Sequence, residues 1–250
     1  MSYYRSLIET VKSYLTNLVG YYKFDANVND FSGNSYNGTV TGTVTYTTGK
    51  VSNAINLQNN TATNFITIAD NNDFSFTDGT NDTKFSISIW VFVTFFSTNG
   101  NYIFNKRGAT GAVNNEYQFQ VNANGSLSFA RYSLLSNLNG QTFTSPTSVI
   151  PLNTWKNIVI TSDGTSNINN LQIYIDGTLQ TLTRTSFGTG FVRFLNGAGS
   201  IIMGKPSSFT DSTFKHRGLL DEFYIWKGRE LSSTEALDVY TKGNAGTALI

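Results

Sequence analysis

The stretch Gly218-Leu219-Leu220-Asp221-Glu222-Phe223-Tyr224-Ile225-Trp226 decides the fold class. As a strand it sends Leu219, Asp221, Phe223 and Ile225 to one side and Leu220, Glu222, Tyr224 and Trp226 to the other. Bulky apolar groups on both sides predict a strand covered on both faces. Asp221 in such a strand needs a cation, an arginine or backbone N–H groups beside it, because an unpartnered buried carboxylate is costly.

The same period of two recurs outward from this stretch. Phe85-Ser86-Ile87-Ser88-Ile89-Trp90-Val91-Phe92-Val93 places Phe85, Ile87, Ile89 and Val91 on one face, as a central sandwich strand does. Further strands are expected at 21–25, 39–46, 51–57, 65–68, 102–105, 116–121, 127–132, 155–162, 171–175, 178–180 and 200–203. Asp176-Gly177 between Ile173-Tyr174-Ile175 and Thr178-Leu179-Gln180 is a two-residue hairpin signal, and Asn122-Ala123-Asn124-Gly125 a tight turn. The segments around 108–115 and 136–148 read as long polar loops.

Two helices flank this β pattern. Tyr4, Leu7, Ile8, Val11, Tyr14, Leu15 and Leu18 recur at helical spacing, predicting an amphipathic helix over 3–18. It either docks on its own domain or serves as an anchor or assembly helix, since its apolar positions lie close to a heptad seam. Near the other end, Ser232 with Glu235 forms a capping box, Leu237 and Tyr240 are expected to face inward, and Gly243 to terminate the helix. Only three prolines occur, and no linker-like run divides the chain. The expected organisation is an N-terminal helix over 1–19 followed by one β domain over 20–250.

Composition excludes some functions. With 13% charged residues and a net charge of +1, there is no electrostatic case for nucleic acid or an acidic membrane surface. No apolar run is long enough to span a bilayer. Cysteine is absent, so stability must come without disulfides. Met1–Val19 carries Arg5, Glu9 and Lys12 within its apolar pattern and is not a signal-peptide core. These features fit a cytosolic protein, a mature fragment or a protein released by lysis, as virion proteins are.

Taken in order, several motifs resemble one superfamily. They are Tyr-Tyr-x-Phe-Asp (21–25), Asp-x-Ser-Gly-Asn (30–34), Thr-Gly-Lys-Val-Ser-Asn-Ala-Ile-Asn-Leu (48–57), Phe-Ser-Ile-Ser-Ile-Trp-Val (85–91), Trp-x-x-Ile-Val-Ile-Thr (155–161), Ile-Tyr-Ile-Asp-Gly (173–177), the 218–226 stretch and Leu-Ser-x-x-Glu (231–235). Over residues 20–245 the chain resembles the laminin-G-like, concanavalin A-like lectin/glucanase jelly rolls. The resemblance implies an all-β sandwich of one concave and one convex sheet, often a module that binds sugars or proteins outside cells. Fold by itself does not assign function.

A glycosidase needs two carboxylates facing one cleft, roughly 5–9 Å apart. Adjacent Asp221 and Glu222 leave opposite strand faces, Glu116 stands alone, and the single His216, between Lys215 and Arg217, reads as a solvated loop residue. The expectation is therefore a protein without enzymatic activity. The resemblance also implies a structural Ca²⁺ where the loop after the first strand meets the last strand, with Asp30, Asn34 and Asp221 as ligands and Asp25 a weaker candidate. The alternative is that Asp30 caps its own turn and Asp221 accepts backbone hydrogen bonds. For a sugar site the alternation places Gln118, Gln120 and Tyr132 outward; Arg131 joins them as a ligand-binding candidate by escaping to the sheet edge. The alternative there is a merely solvated sheet face.

The function expected is thus a non-enzymatic recognition or structural module at a virion surface: a phage fibre, tail or capsid-decoration component. It would bind a glycan or protein surface, and other virion proteins or itself through the N-terminal helix. Its rival is a carbohydrate-binding module of a bacterial surface protein or secreted enzyme, in an extracellular or cell-surface setting; a degenerate glycosidase comes third.

Overall fold

The computed structural model describes residues 13–58, 64–108, 114–133, 138–165, 167–207 and 212–250. Two eight-stranded antiparallel sheets face each other. Sheet A runs β13 (Thr178–Leu179), β12 (Leu171–Ile175), β11 (Trp155–Ser162), β6 (Phe85–Val93), β16 (Gly218–Lys227), β4 (Asn53–Asn56), β3 (Thr45–Thr48), with β1 (Leu18–Tyr22) also on β16. Sheet B runs β14 (Thr183–Phe187), β10 (Gly140–Thr144), β9 (Leu127–Tyr132), β8 (Tyr117–Val121), β7 (Asn101–Lys106), β15 (Ile201–Met203), β5 (Phe65–Ile68), β2 (Gly38–Thr41).

The 218–226 stretch is the hub. One edge of β16 pairs with β6 along most of its length; the other is shared, with β4 taking Leu219 and Leu220 and β1 taking Phe223 to Trp226. Tyr22 sits opposite Phe223 with ring centroids 5.9 Å apart, so the early and late parts of the chain meet in one core. The strict alternation expected for this strand fails at its middle. A bulge between Asp221 and Tyr224, with Glu222 at φ 50°, inserts a residue. Leu220 therefore joins Phe223 and Ile225 in the inter-sheet core, rather than Leu219 doing so.

That inter-sheet core holds Phe85, Ile87, Ile89, Val91 and Val93 of β6 against Phe104, Tyr117, Phe119 and Phe129 of sheet B. A second apolar cluster lies on the outside of sheet A: Tyr21, Val159, Tyr174, Tyr224 and Trp226 under helix α1 (Ser233–Asn244). Ser232 and Glu235 form the capping box expected. The buried face of α1 is Ala236, Val239 and Gly243; Tyr240 is half-buried against Trp90, and Leu237 is 50% exposed over the Asp176-Gly177 turn, contrary to its expected inward position. Gly243 does not end the helix. A Cβ there would drive into the Trp90 indole, so glycine is what lets α1 lie against the sheet. The left-handed residue past the end is Gly246.

Most of the N-terminal helix expected over 3–18 lies outside the described residues. Ser13–Leu15 is helical, Asn17 at φ 63° turns the chain, and β1 already begins at Leu18. Tyr14 is buried in the outer cluster, where its carbonyl accepts from Trp226 Nε1 (2.8 Å) and its hydroxyl donates to Asp238 Oδ2 (2.8 Å). Two further expectations are corrected. The 39–46 strand is two strands in different sheets, and the 136–148 loop contains β10, which with β14 extends sheet B.

Candidate functional site

The outer face of sheet B follows from the alternation of its strands. Register carries one row across all eight: Thr185, Thr142, Ala130, Gln118, Asn105, Ile202, Thr67, Thr39. The row is uncharged throughout. One rung away, Tyr102 pairs with Gln120, and beyond Ala130 Tyr132 meets Phe187 edge-on at 6.0 Å. Arg107 lies across this surface. Its Nη1 donates to Gln118 Oε1 (2.5 Å), its Nε to Asn115 Oδ1 (3.2 Å), and its guanidinium sits 5.1 Å from the Tyr132 ring centroid.

Beside Arg107 a cleft of about 350 Å³ opens between the sheet and the 198–207 segment, lined by Phe65, Thr67, Asn114, Ser200, Ile202 and Lys205 among others. Lys205 Nζ is 4.2 Å from the Phe65 ring centroid. Burial holds its pKa below the ordinary lysine range. Among the described residues, Arg107 and Lys205 are the charged side chains lining the cleft, and no carboxylate lines it. An aromatic wall, planar amides and two fixed cations suit a ligand with flat apolar faces, hydroxyls and an acidic group.

Of the four residues expected to bind ligand, Gln118, Gln120 and Tyr132 share this face; Gln120 Nε2 donates to Asn122 Oδ1 (2.8 Å). Arg131 does not. It faces inward with Tyr117 and Phe129 and is fully buried at the end of the sandwich. Its guanidinium stacks 4.0 Å from the Phe191 centroid and donates to Gln141 Oε1 and to the Asn167 carbonyl (3.1 Å). Burial lowers its pKa to about 10. Strand parity put it inside, and enclosed carbonyls and an amide replace its water. Arg107, Lys205 and Phe65 were not among the expected site residues; the signal available was a cation directly after a strand and before a long polar loop.

The three expected calcium ligands are engaged separately. Asp30 Oδ1 accepts from Tyr21 N (3.0 Å) and Ser32 N (2.9 Å), and Oδ2 from Ser32 Oγ (2.8 Å) and Tyr36 N (3.0 Å). Asn34 turns its Nδ2 to the carbonyls of Leu18 and Val19. Asp221 Oδ2 accepts from Lys50 N (2.8 Å) and Val51 N (2.9 Å), and Gly49 leaves room for it, since a Cβ there would lie 2.6 Å from that oxygen. Among the described residues no group of three or more His, Cys, Asp or Glu is placed to hold a metal ion. N–H and O–H donors occupy both oxygens of Asp30 and Oδ2 of Asp221, while Asp221 Oδ1 has no hydrogen-bond partner among the described residues.

Burial favours the protonated form of both acids at the bulge. Asp221 and Glu222 are both buried, and burial first, then mutual repulsion, raises Asp221 to about 8. Burial raises Glu222 to about 7 against the hydrogen bonds from Tyr224 and Tyr21, whose rings stack at 4.2 Å. His216 is likewise buried, not solvated: its Nε2 lies 3.3 Å from the Leu219 carbonyl, and burial lowers its pKa to about 4, so it is neutral at pH 7.

A family model of the concanavalin A-like lectin/glucanases superfamily matches residues 60–236, more than half of the chain. The chain belongs to this superfamily. Within that superfamily's fold, solved structures align along nearly the whole chain. The binding domain of Paraclostridial Mosquitocidal Protein 1 is 20% identical, with a TM-score of 0.68 over 90% of this chain and 52% of that one. The botulinum neurotoxin serotype G binding domain is 18% identical, with a TM-score of 0.66 over 90% of this chain and 51% of that one. A botulinum neurotoxin type C structure, described as entering cells through two ganglioside molecules, is 16% identical, with a TM-score of 0.67 over 93% of this chain and 52% of that one. At these identities the likeness is one of fold, and the chain spans about half the length of these structures. No curated protein matches the chain in sequence.

Proposed function

We propose that the chain is a non-enzymatic recognition module whose outer sheet B face takes a glycan or a protein partner. The observation that carries this reading is the uncharged eight-strand row flanked by Arg107 over Tyr132 and by the Lys205–Phe65 cleft. A hydrolase of this fold needs two acids facing one cleft; the cleft here is lined by cations, and the acids of β16 are enclosed and bonded to Tyr21, Tyr224 and two backbone N–H groups. Kinship of fold with binding domains of bacterial toxins supports the same reading. The test is a glycan array with the wild type and an Arg107→Ala variant. Binding that falls at least tenfold in the variant is expected; wild-type binding untouched by the change would move the site elsewhere, and release of reducing sugar from any bound polysaccharide would make the protein an enzyme.

The setting we propose is a virion surface, supported by the cysteine-free, weakly charged, Gly-rich composition. There the segment before β1 anchors the sandwich or joins copies. Light scattering on the full chain and on a version starting at Ser13 tests this, with an oligomer expected only for the full chain. The likeness to bacterial toxin domains favours a second setting, a carbohydrate-binding module of a bacterial surface protein or secreted enzyme, for which both versions are monomers.

A further inference from the structure

Lys106 closes β7 with its side chain inside the sandwich, opposite Tyr117, and is fully buried. Its Nζ donates to Glu116 Oε1 (2.6 Å), Asp70 Oδ1 (2.7 Å) and the Gly197 carbonyl (2.8 Å). Glu116 is fully buried too. Its Oε1 also accepts from Ser75 Oγ and Gly197 N, both at 3.0 Å, while its Oε2 has no hydrogen-bond partner among the described residues. The wall behind is aromatic: Tyr117 stacks on Phe76 and Phe129. Burial raises Glu116 to about 7 despite the lysine, so near neutral pH it both takes up and gives up a proton readily. Asp70 differs from Glu116 in one respect: 31% of its side chain is exposed.

A fully buried amine held between one enclosed and one partly exposed carboxyl is placed for amide condensation. We propose that Lys106 and Asp70 join through an intramolecular amide bond, with Glu116 relaying protons. Glu116 carries one proton from the Lys106 ammonium to the Asp70 carboxylate. The neutral Nζ then attacks Asp70 Cγ and forms the N–C bond. The adduct's C–O bond breaks, the leaving hydroxyl receives a second Nζ proton through Glu116, and it departs as water on the open side of Asp70. Glu116 ends in its starting state. No oxidant or cofactor takes part. Glu116 is the relay and not the acyl group because Ser75 and Gly197 fix it, and it has no route for released water. The link ties β7 to the segment after β5 across 36 residues and gives a chain without cysteine a covalent staple.

Intact mass of the full-length protein tests this directly. The expected mass is below that of the sequence by one water, with a proteolytic map joining the Asp70 peptide to the Lys106 peptide. Lys106→Met and Glu116→Gln are expected at full mass, and Asp70→Asn is expected to form the same link with loss of ammonia instead of water. Wild-type protein still at full mass after prolonged incubation at neutral pH overturns the proposal, whatever the variants do. So does a water loss that maps to an Asp-Gly pair, or a link made to Glu116. A Glu116→Gln protein that links as fast as wild type removes the relay.

Discussion

The two outer faces of this sandwich are built by the same alternation and end in opposite states. Outside sheet A, strand parity delivers Tyr21, Val159, Tyr174, Tyr224 and Trp226, and α1 with Tyr14 buries them. Outside sheet B, the same parity delivers threonines, Ala130, Gln118 and Asn105, with Tyr102 and Tyr132 a rung away; among the described residues no helix covers them, and Asn105 is enclosed by the 205–207 segment. A sheet face rich in aromatics costs free energy while wet and so recruits a cover; a threonine and amide face does not, and stays available to a partner. The composition of every second residue thus decides which side is covered by a helix and which is left polar, the side on which we propose recognition.

The largest effect should come from breaking the covered face. Trp226→Ala removes a fully buried indole and its hydrogen bond to Tyr14, and is expected to cost about 3–5 kcal/mol, read in a urea unfolding curve. A loss below about 1 kcal/mol would mean that α1 and its cluster contribute little and the contrast between faces is wrong.

Next comes the pH dependence of that same side. Asp221 at about 8 and Glu222 at about 7 lie above their ordinary values of 3.8 and 4.5, so the native state holds more protons between these limits. Their contribution to stability is fully present below about pH 4 and is lost as pH rises through 7 to 8. Asp221→Asn should flatten this fall by removing its larger component, while still accepting from Lys50 and Val51 N–H. Melting scans at several pH values check it. His216, lowered to about 4 from 6.5, works with the opposite sign: its contribution is present above 6.5 and lost as pH falls towards 4.

The open face should behave differently. Thr142→Ala and Gln118→Ala are expected to change stability by no more than about 0.5 kcal/mol. Gln118→Ala should nonetheless weaken partner binding, because Arg107 loses the amide that positions it. The smallest effect expected is from calcium. Adding it to chelator-treated protein should leave the melting midpoint in place, since N–H and O–H donors already fill Asp30. A clear upward shift would put a cation on the covered side and spoil the contrast.

Much of this was legible in the residues. β9, β11 and β12 lie where alternation places them, and the meeting of Tyr22 with Phe223 follows from the order of motifs. What escaped had physical causes. β10 and β14, GQTFT and TRTSF, are largely polar and carry one phenylalanine each, and the pairing of β14 depends on a partner about forty residues away rather than on an apolar pattern. The β16 bulge breaks parity at Glu222, a non-glycine residue at positive φ, and nothing local announces it. Charge and sequence neighbours point Arg131 to the sheet edge and His216 to solvent, whereas tertiary packing encloses both. The candidate site was half visible: Gln118, Gln120 and Tyr132 follow from parity, but Arg107, Lys205 and Phe65 converge only through the crossing of β5, β7 and the 198–207 segment.

The pairing of β1 with β16 sets how this molecule responds to force. Leu18 lies opposite Trp226 and Tyr22 opposite Phe223, so the chain arms that enter β1 and leave β16 depart from the same end of the ladder. Tension between those arms loads the rungs one after another, peeling them open like a zipper instead of shearing them together. Such a pull first meets the packing of α1 on the sheet and the Tyr14–Asp238 and Arg229–Ser13 contacts, and only then the Tyr14–Trp226 clasp and the ladder behind it.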